Sequence, residues 1–155
     1  MAPQQRPRTI SHIHPIYKIY FLYLEALMAF AGALMVLINP EHFLQSTLPA
    51  GYLTIHPLTI TPVLKMLLTN IAFLYGLISV LEGVVLRFSR ERIVWVGVLA
   101  GLLVSDVGHL WSVFAVDRKR FWSVTEWNGD EWISYGTLLL GAGLRTLFLA
   151  GFGWR

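Results

Sequence analysis

The sequence predicts an all-α fold, an integral membrane four-helix transmembrane bundle, and three observations carry that prediction. Of 155 residues, 55% are hydrophobic and only 14% are charged, where a soluble domain carries about 25%. Mean hydropathy is +0.60. Four stretches each reach the roughly 20 apolar residues that a spanning helix needs. The net charge of +3 is too small and too scattered for a nucleic-acid footprint. The chain has no cysteine, so disulfide frameworks, thiolate metal sites and cysteine nucleophiles are excluded. The length fits one membrane domain over residues 1–155.

The first span covers residues 19–38, with Glu25 its only charge. It follows Arg6, Arg8 and Lys18. It is long for a signal-peptide core and no small-residue cleavage site follows, so it reads as an uncleaved anchor. Asn39-Pro40 ends it. Residues 39–61, with Pro40, Pro49, Gly51 and Pro57, read as a long loop. Pro62 suits the first turn of the next helix. The second span, 66–86, holds only Glu82. Residues 87–92 (RFSRER) form a tight basic turn, which makes the second and third helices antiparallel neighbours. The third span, 93–116, contains Asp106 and His109. Residues 117–131 read as a polar, aromatic loop in which Asp130 or Asn128 caps the fourth helix, with Asp130 preferred. Glu131 then lies in the first turn, where the helix dipole favours it. The fourth span, 132–152, holds only Arg145.

Four spans put both termini on one side, with Arg6, Arg8, Lys18, Arg87, Arg90, Arg92 and Arg155. The other side carries Lys65, Arg118, Lys119 and Arg120. Seven against four favours cytoplasmic termini. Trp95, Trp111, Trp122, Trp127, Trp132 and Trp154 lie near span ends, as interfacial anchors do. Gly97, Gly101 and Ser105 on the third helix, Gly76, Ser79 and Gly83 on the second, and Gly136, Gly141 and Gly143 on the fourth predict close helix packing. A homodimer is compatible with such faces.

Ionisable groups inside a bilayer cost a few kcal/mol or more, so they are rarely idle. The spans hold three carboxyls, one imidazole and one guanidinium. With the imidazole neutral, the spans carry a net charge of −2. A dry bundle resists that, so at least one carboxyl is expected to be protonated near neutral pH, or His109 to be cationic. At about 1.5 Å per residue from the basic side, Glu82 lies roughly 6 Å in, and Glu25 and Arg145 roughly 10 Å. Asp106 lies roughly 20 Å in, with His109 and Asn70 roughly 24 Å. Two layers are expected: Glu25, Glu82 and Arg145 in one, and Asp106, His109 and Asn70 in the other, unless helix rotation pairs Glu25 directly with Asp106 and bridges them.

Each group also has a structural reading. Asp106 and His109, three apart, share a helix face, as a polar clasp or as acid/base partners. Arg145 either neutralises Glu25 or Glu82, or contacts substrate. Glu82 is near enough to the basic turn to snorkel or to pair with Arg87. Asn70 can hydrogen-bond across helices or orient substrate. Tyr20, Tyr23 and Tyr75 are packing residues or phenol donors. The loop with Glu126, Trp127, Asn128, Asp130, Glu131 and Trp132 is either a solvated connection or a polar mouth to the Asp106 layer. No metal site is expected, because His12, His14, His42 and His56 lie outside the spans and a catalytic metal needs three protein ligands.

Several segments fall in a familiar order. Tyr23-Leu24-Glu25 precedes Asn39-Pro40-Glu41, a mid-helix Asn70, and Ser-Asp-Val-Gly-His-Leu from Ser105 to Leu110. Trp127-Asn128, Trp132 and Gly141 to Arg145 follow. The order resembles a family of small four-span membrane proteins of filamentous fungi, similar to membrane-bound epoxide hydrolases and cyclases of polyketide polyether pathways of the aurovertin and citreoviridin type. The resemblance covers nearly the whole chain, and the Asp-x-Gly-His-Leu segment is its most specific part. It implies a membrane hydrolase of fungal secondary metabolism, in the endoplasmic reticulum membrane, that opens epoxides on a polyene. The larger fungal meroterpenoid cyclases also protonate an epoxide with buried carboxyls, but this chain is too short for their seven spans.

The residue chemistry fits independently. Epoxide opening needs a proton for the leaving oxygen and a base for water or an internal hydroxyl. A neutral carboxyl beside a charged one supplies both. On this reading Asp106, His109, Glu25 and Arg145 are catalytic, and Asn70, Tyr23, Tyr75, Glu82, Trp127 and Asn128 contact substrate. No cofactor is required, and the sequence has no P-loop, dinucleotide fingerprint or zincin motif. The expected partners are a lipophilic small molecule and membrane lipids, not nucleic acid. Two other readings remain open: a terpene or sterol cyclase or isomerase started by a buried acid, and a non-enzymatic lipid-binding or assembly protein whose polar residues clasp the bundle.

Overall fold

The computed structural model describes residues 9–10 and 12–153. Arg6, Arg8, Trp154 and Arg155, used above for orientation and anchoring, lie outside the described residues. Helix α1 (Pro15–Ile38) begins with proline in its first turn, and the His14 imidazole accepts a hydrogen bond from the Ile16 amide. It ends at Asn39, whose side chain accepts from the His42 amide and caps the next helix, α2 (Pro40–Thr47). A single turn, α3 (Tyr52–Ile55), follows Gly51, whose φ of 77° suits a residue without Cβ. The stretch expected to be a loop over 39–61 is therefore partly helical. Pro40 does not only stop α1; it also starts α2, because proline fits a helix's first turn as well as it breaks an interior.

Helix α4 (Pro62–Leu86) starts as expected at Pro62, capped by the Thr61 hydroxyl. Helix α5 (Arg92–Val116) follows the tight basic turn. The connection 117–131 is also more ordered than expected. It contains α6 (Arg118–Trp122), capped by Asp117, and a 3₁₀ turn at Val124–Glu126. Helix α7 (Gly129–Leu149) is capped by Asn128, not by the preferred Asp130. The reason is reciprocal bonding: Asn128 Oδ1 accepts from the Glu131 amide while Glu131 Oε2 accepts from the Asn128 amide, each at 2.8 Å. The observed long helices begin earlier than the expected spans, and α7 stops at Leu149 rather than at 152.

All four long helices are apolar enough to cross a membrane. Among the described residues there is no strand; Thr9 and Glu91 form an isolated bridge. That bridge, with Ile10 N donating to Arg90 O at 2.9 Å and His14 N to Gly153 O at 2.7 Å, gathers the N-terminal segment, the basic turn and the C-terminal end. Beneath them Tyr17, Phe21, Leu86, Trp95, Leu99 and Phe148 form the main apolar core. At the far end Val113, Trp127 and Tyr135 form a smaller one. Between these ends α1 packs along α4, and α5 along α7. Leu27, Phe30, Phe73, Val104 and Ile133 are exposed, as side chains facing lipid are.

Two tryptophans depart from the anchoring role. Trp95 is buried and donates to Ser89 O at 2.9 Å, and Trp127 is buried and donates to Arg120 O at 3.2 Å. Trp111, Trp122 and Trp132 are exposed. The small residues also divide. A Cβ on Gly32 would sit 3.3 Å from the Tyr75 ring, one on Gly83 3.4 Å from Ala26, and one on Gly141 3.0 Å from Arg145. Gly76, Gly97, Gly101 and Gly143 have no such neighbour within 4 Å. Those four do not mediate close helix packing within the chain, contrary to expectation.

Three π-helical turns interrupt the long helices, at Tyr20–Glu25, Leu81–Leu86 and Trp132–Gly136. Such turns are rare and cluster at functional sites. Two of them carry Glu25 and Glu82.

Candidate functional site

One carboxyl side chain from each of the other three long helices converges on Arg145 of α7. Its Nη1 donates to Asp106 Oδ2 of α5 at 2.5 Å. Its Nη2 donates both to Glu25 Oε1 of α1 at 2.7 Å and to Glu82 Oε1 of α4 at 2.9 Å. The guanidinium also lies over the Phe21 ring, 5.5 Å from its centroid. Every contact to a carboxyl is single, so the arginine forms no two-point fork with any of them. Glu25 Oε2, Glu82 Oε2 and Arg145 Nε are buried without a hydrogen-bond partner.

Helix polarity explains the convergence. Each Cα–Cβ bond tilts toward the N-terminus of its own helix. Helices α1 and α5 run away from the basic end, so Glu25 and Asp106 lean back toward it. Helices α4 and α7 run toward the basic end, so Glu82 and Arg145 lean away from it and inward. Four side chains attached at different depths thus meet at one level. Gly141, one turn before Arg145, leaves the room: a Cβ there would stand 3.0 Å from Arg145 Nη1, 3.1 Å from the Tyr20 hydroxyl and 3.3 Å from Glu25 Oε1. Tyr20 itself donates to the Thr137 carbonyl at 3.0 Å, tying α1 to α7 beside the cluster.

Burial grades the members. The side chains of Glu82 and Arg145 are 0% and 1% exposed, Asp106 is 7% and Glu25 15%. Glu25 is therefore the member nearest the outside of the bundle.

The expected layers are redrawn in three ways. Asp106 joins Glu25, Glu82 and Arg145 rather than His109, because depth counted along Cα positions ignores the opposite lean of side chains on antiparallel helices. His109 faces α4 instead, with Nε2 3.5 Å from the Tyr75 hydroxyl and the two rings stacked at 6.1 Å. Glu82 neither snorkels nor pairs with Arg87; Arg87 donates to the Leu22 carbonyl at 3.1 Å and lies over the Tyr23 ring.

Other expected contact residues are not brought to the cluster. Asn70 is exposed on α4, and Tyr23 is 53% exposed beside Arg87. Trp127 packs into the far-end core and Asn128 caps α7. Tyr20 and Gly141 belong to the surroundings of the cluster, and the sequence reading gave neither that place. The available signal was the spacing of Gly141 one turn before an intramembrane arginine.

A second ion cluster lies at the far end, built on Arg120. Its Nε and Nη2 donate in parallel to Glu131 Oε1 and Oε2 at 2.8 and 2.7 Å. Nη2 also donates to the Glu126 carbonyl at 2.6 Å. Glu131 receives two further backbone donors, the Ala50 and Asn128 amides. The bonded Glu131 carboxylate raises the pKa of the Arg120 guanidinium above its ordinary value. With the Tyr135 hydroxyl donating to the Thr47 carbonyl at 2.9 Å, this cluster fastens the 39–61 connection to α7. The 117–131 connection, expected as a solvated loop or a polar mouth, is a clamp.

Among the described residues, no group of three or more His, Asp or Glu could hold a metal ion. The Arg145 cluster sets three carboxyls against one guanidinium and leaves two carboxyl oxygens without a donor, the composition that acid/base chemistry requires.

Comparison with known proteins gives one family. Its description is "Domain of unknown function (DUF7704)", and its model matches residues 10–154. No curated protein and no solved structure matches the chain.

Proposed function

We propose, for a chain that belongs to the DUF7704 family over nearly its whole length, that the Arg145 cluster is the acid/base centre of a membrane-embedded enzyme that opens epoxides on a lipophilic substrate. The observation that carries this reading is the meeting of three carboxyls on one guanidinium inside the bundle, with an oxygen of Glu25 and one of Glu82 left without a partner. One cation cannot neutralise three carboxylates. A cluster so loaded keeps a proton on one carboxyl while another stays charged, and such a pair is what epoxide opening needs.

The reaction balances without a cofactor. The neutral carboxyl gives its proton to the epoxide oxygen as the carbon–oxygen bond breaks. Water or a hydroxyl of the substrate forms the new carbon–oxygen bond and yields its proton to the charged carboxylate. The proton has then moved from one carboxyl to another, and exchange between them resets the site. Arg145 holds the charged partner throughout. A polyene polyketide epoxide of fungal secondary metabolism is the substrate class that the sequence resemblance supports, and it would reach Glu25 from the lipid. The excess of Lys and Arg on the side of the termini, seven against four in the full sequence, supports cytoplasmic termini, and the endoplasmic reticulum is the membrane we assign.

The same convergence supports a second reading, in which the cluster only clasps four helices together. The test is turnover. Membranes carrying the protein are given a polyene-pyrone bisepoxide in heavy-oxygen water, and products are followed by mass spectrometry. Label in a diol, lost in Asp106→Asn and Glu25→Gln, marks a hydrolase; ring closure without label, lost in the same variants, marks a cyclase. No turnover by folded protein would overturn the enzymatic reading and leave the clasp.

A further inference from the structure

We infer that the Glu25–Glu82 pair, and not Asp106, carries the cluster's proton, and that Glu25 is the carboxyl that exchanges it with molecules arriving from the lipid. This deepens the acid/base reading and rests on it for the use made of the proton, although the proton's position can be measured without turnover.

The geometry separates the three carboxyls. Asp106 has a guanidinium nitrogen to itself, Nη1, at 2.5 Å. Glu25 and Glu82 divide Nη2 between them, one oxygen each, at 2.7 and 2.9 Å. Their remaining oxygens, both Oε2, are buried and unpaired. Two charged carboxylates on one nitrogen, each with a bare buried oxygen, repel each other and lack solvation. A single proton on either one removes a charge and turns a bare acceptor into a donor. Asp106, alone on its nitrogen, stays as the charged base.

Every group facing the pair fits this division. Arg145 is the cation that both glutamates touch, and the Tyr20 hydroxyl, which stands beside Gly141 with Glu25 Oε1, is committed to the Thr137 carbonyl. His109 is engaged with Tyr75. Exposure then selects the exchanging member, because Glu25 is 15% exposed and Glu82 is fully enclosed.

The experiment uses dicyclohexylcarbodiimide, a lipid-soluble reagent that reacts with protonated carboxyls. The carboxyl proton goes to a carbodiimide nitrogen while its oxygen bonds to the central carbon, and the adduct rearranges to a stable acylurea. The full-length protein in membranes is treated, digested and mapped by mass spectrometry. The expected adduct is on Glu25. Replacing Glu82 with Gln leaves Glu25 alone on Nη2, so labelling at Glu25 falls about tenfold. Adduct on Asp106 with Glu25 unmodified would overturn the inference, as would unchanged Glu25 labelling in Glu82→Gln. Infrared spectra of the untreated protein give a readout independent of reagent access. A protonated-carboxyl band that Glu25→Gln or Glu82→Gln removes and Asp106→Asn keeps supports the assignment, and a band absent from the wild type overturns it. Labelling at Glu25 without epoxide turnover would leave this inference standing and sink the enzymatic reading alone.

Discussion

Arg120 meets one buried carboxylate with two parallel nitrogens, and two backbone amides complete that carboxylate's shell. Arg145 spreads two nitrogens over three carboxyls and leaves its own Nε and two carboxyl oxygens unpaired. The first arrangement is saturated, and it joins segments that must be held. The second is short of cations, and it sits where four helices meet inside a membrane. A buried ion pair built only for cohesion gains from saturation. On the acid/base reading proposed above, the shortage around Arg145 leaves that cluster a proton to exchange.

This contrast can be broken by substitution, and the largest effect belongs to Arg145 itself. Arg145→Met strands three carboxyls and is expected to cost about 3–5 kcal/mol, read from denaturant unfolding in micelles. Adding Glu82→Gln and Asp106→Asn should recover most of the loss; no recovery would mean the arginine acts by packing. Glu131→Gln weakens the saturated far-end cluster and should cost about 1–3 kcal/mol by the same measurement. Gly141→Ala places a Cβ among three polar atoms and should cost about 1 kcal/mol. Gly97→Ala, with open space around it, should be neutral or better. Equal effects from the two glycines would remove the steric account of the site. Tyr135→Phe, which loses only the bond to Thr47 O, should cost about 1 kcal/mol or less.

The four spans and their charged members were legible because hydropathy and length decide what a bilayer accepts. The pairing of Arg145 with Glu25 or Glu82 was legible from depth. The same depth count puts Asp106 in the other layer, since it has no term for side chains that lean oppositely on antiparallel helices; only the alternative of a bridge between Glu25 and Asp106 points to the shared cluster. Glu82 was drawn toward Arg87 by closeness in sequence, while its π-helical turn, invisible to a 3.6-residue period, belongs to the segment that meets α1. The Arg120–Glu131 fork was hidden because it closes across an irregular connection, where no periodicity says which side chains face each other. Asn128 lost the cap to Asp130 in the sequence reading for want of its partner; the Asn128–Glu131 spacing is the capping box that would have decided it.

The most direct test of the charge shortage is the stability of Glu82→Gln set beside that of Glu131→Gln in the same micelle. Both changes replace a buried glutamate on an arginine with its amide. The account predicts that Glu82→Gln leaves unfolding free energy unchanged within about 0.5 kcal/mol or raises it, because Glu25 then has Nη2 to itself, while Glu131→Gln lowers it. A loss at Glu82 equal to or greater than the loss at Glu131 would contradict the account.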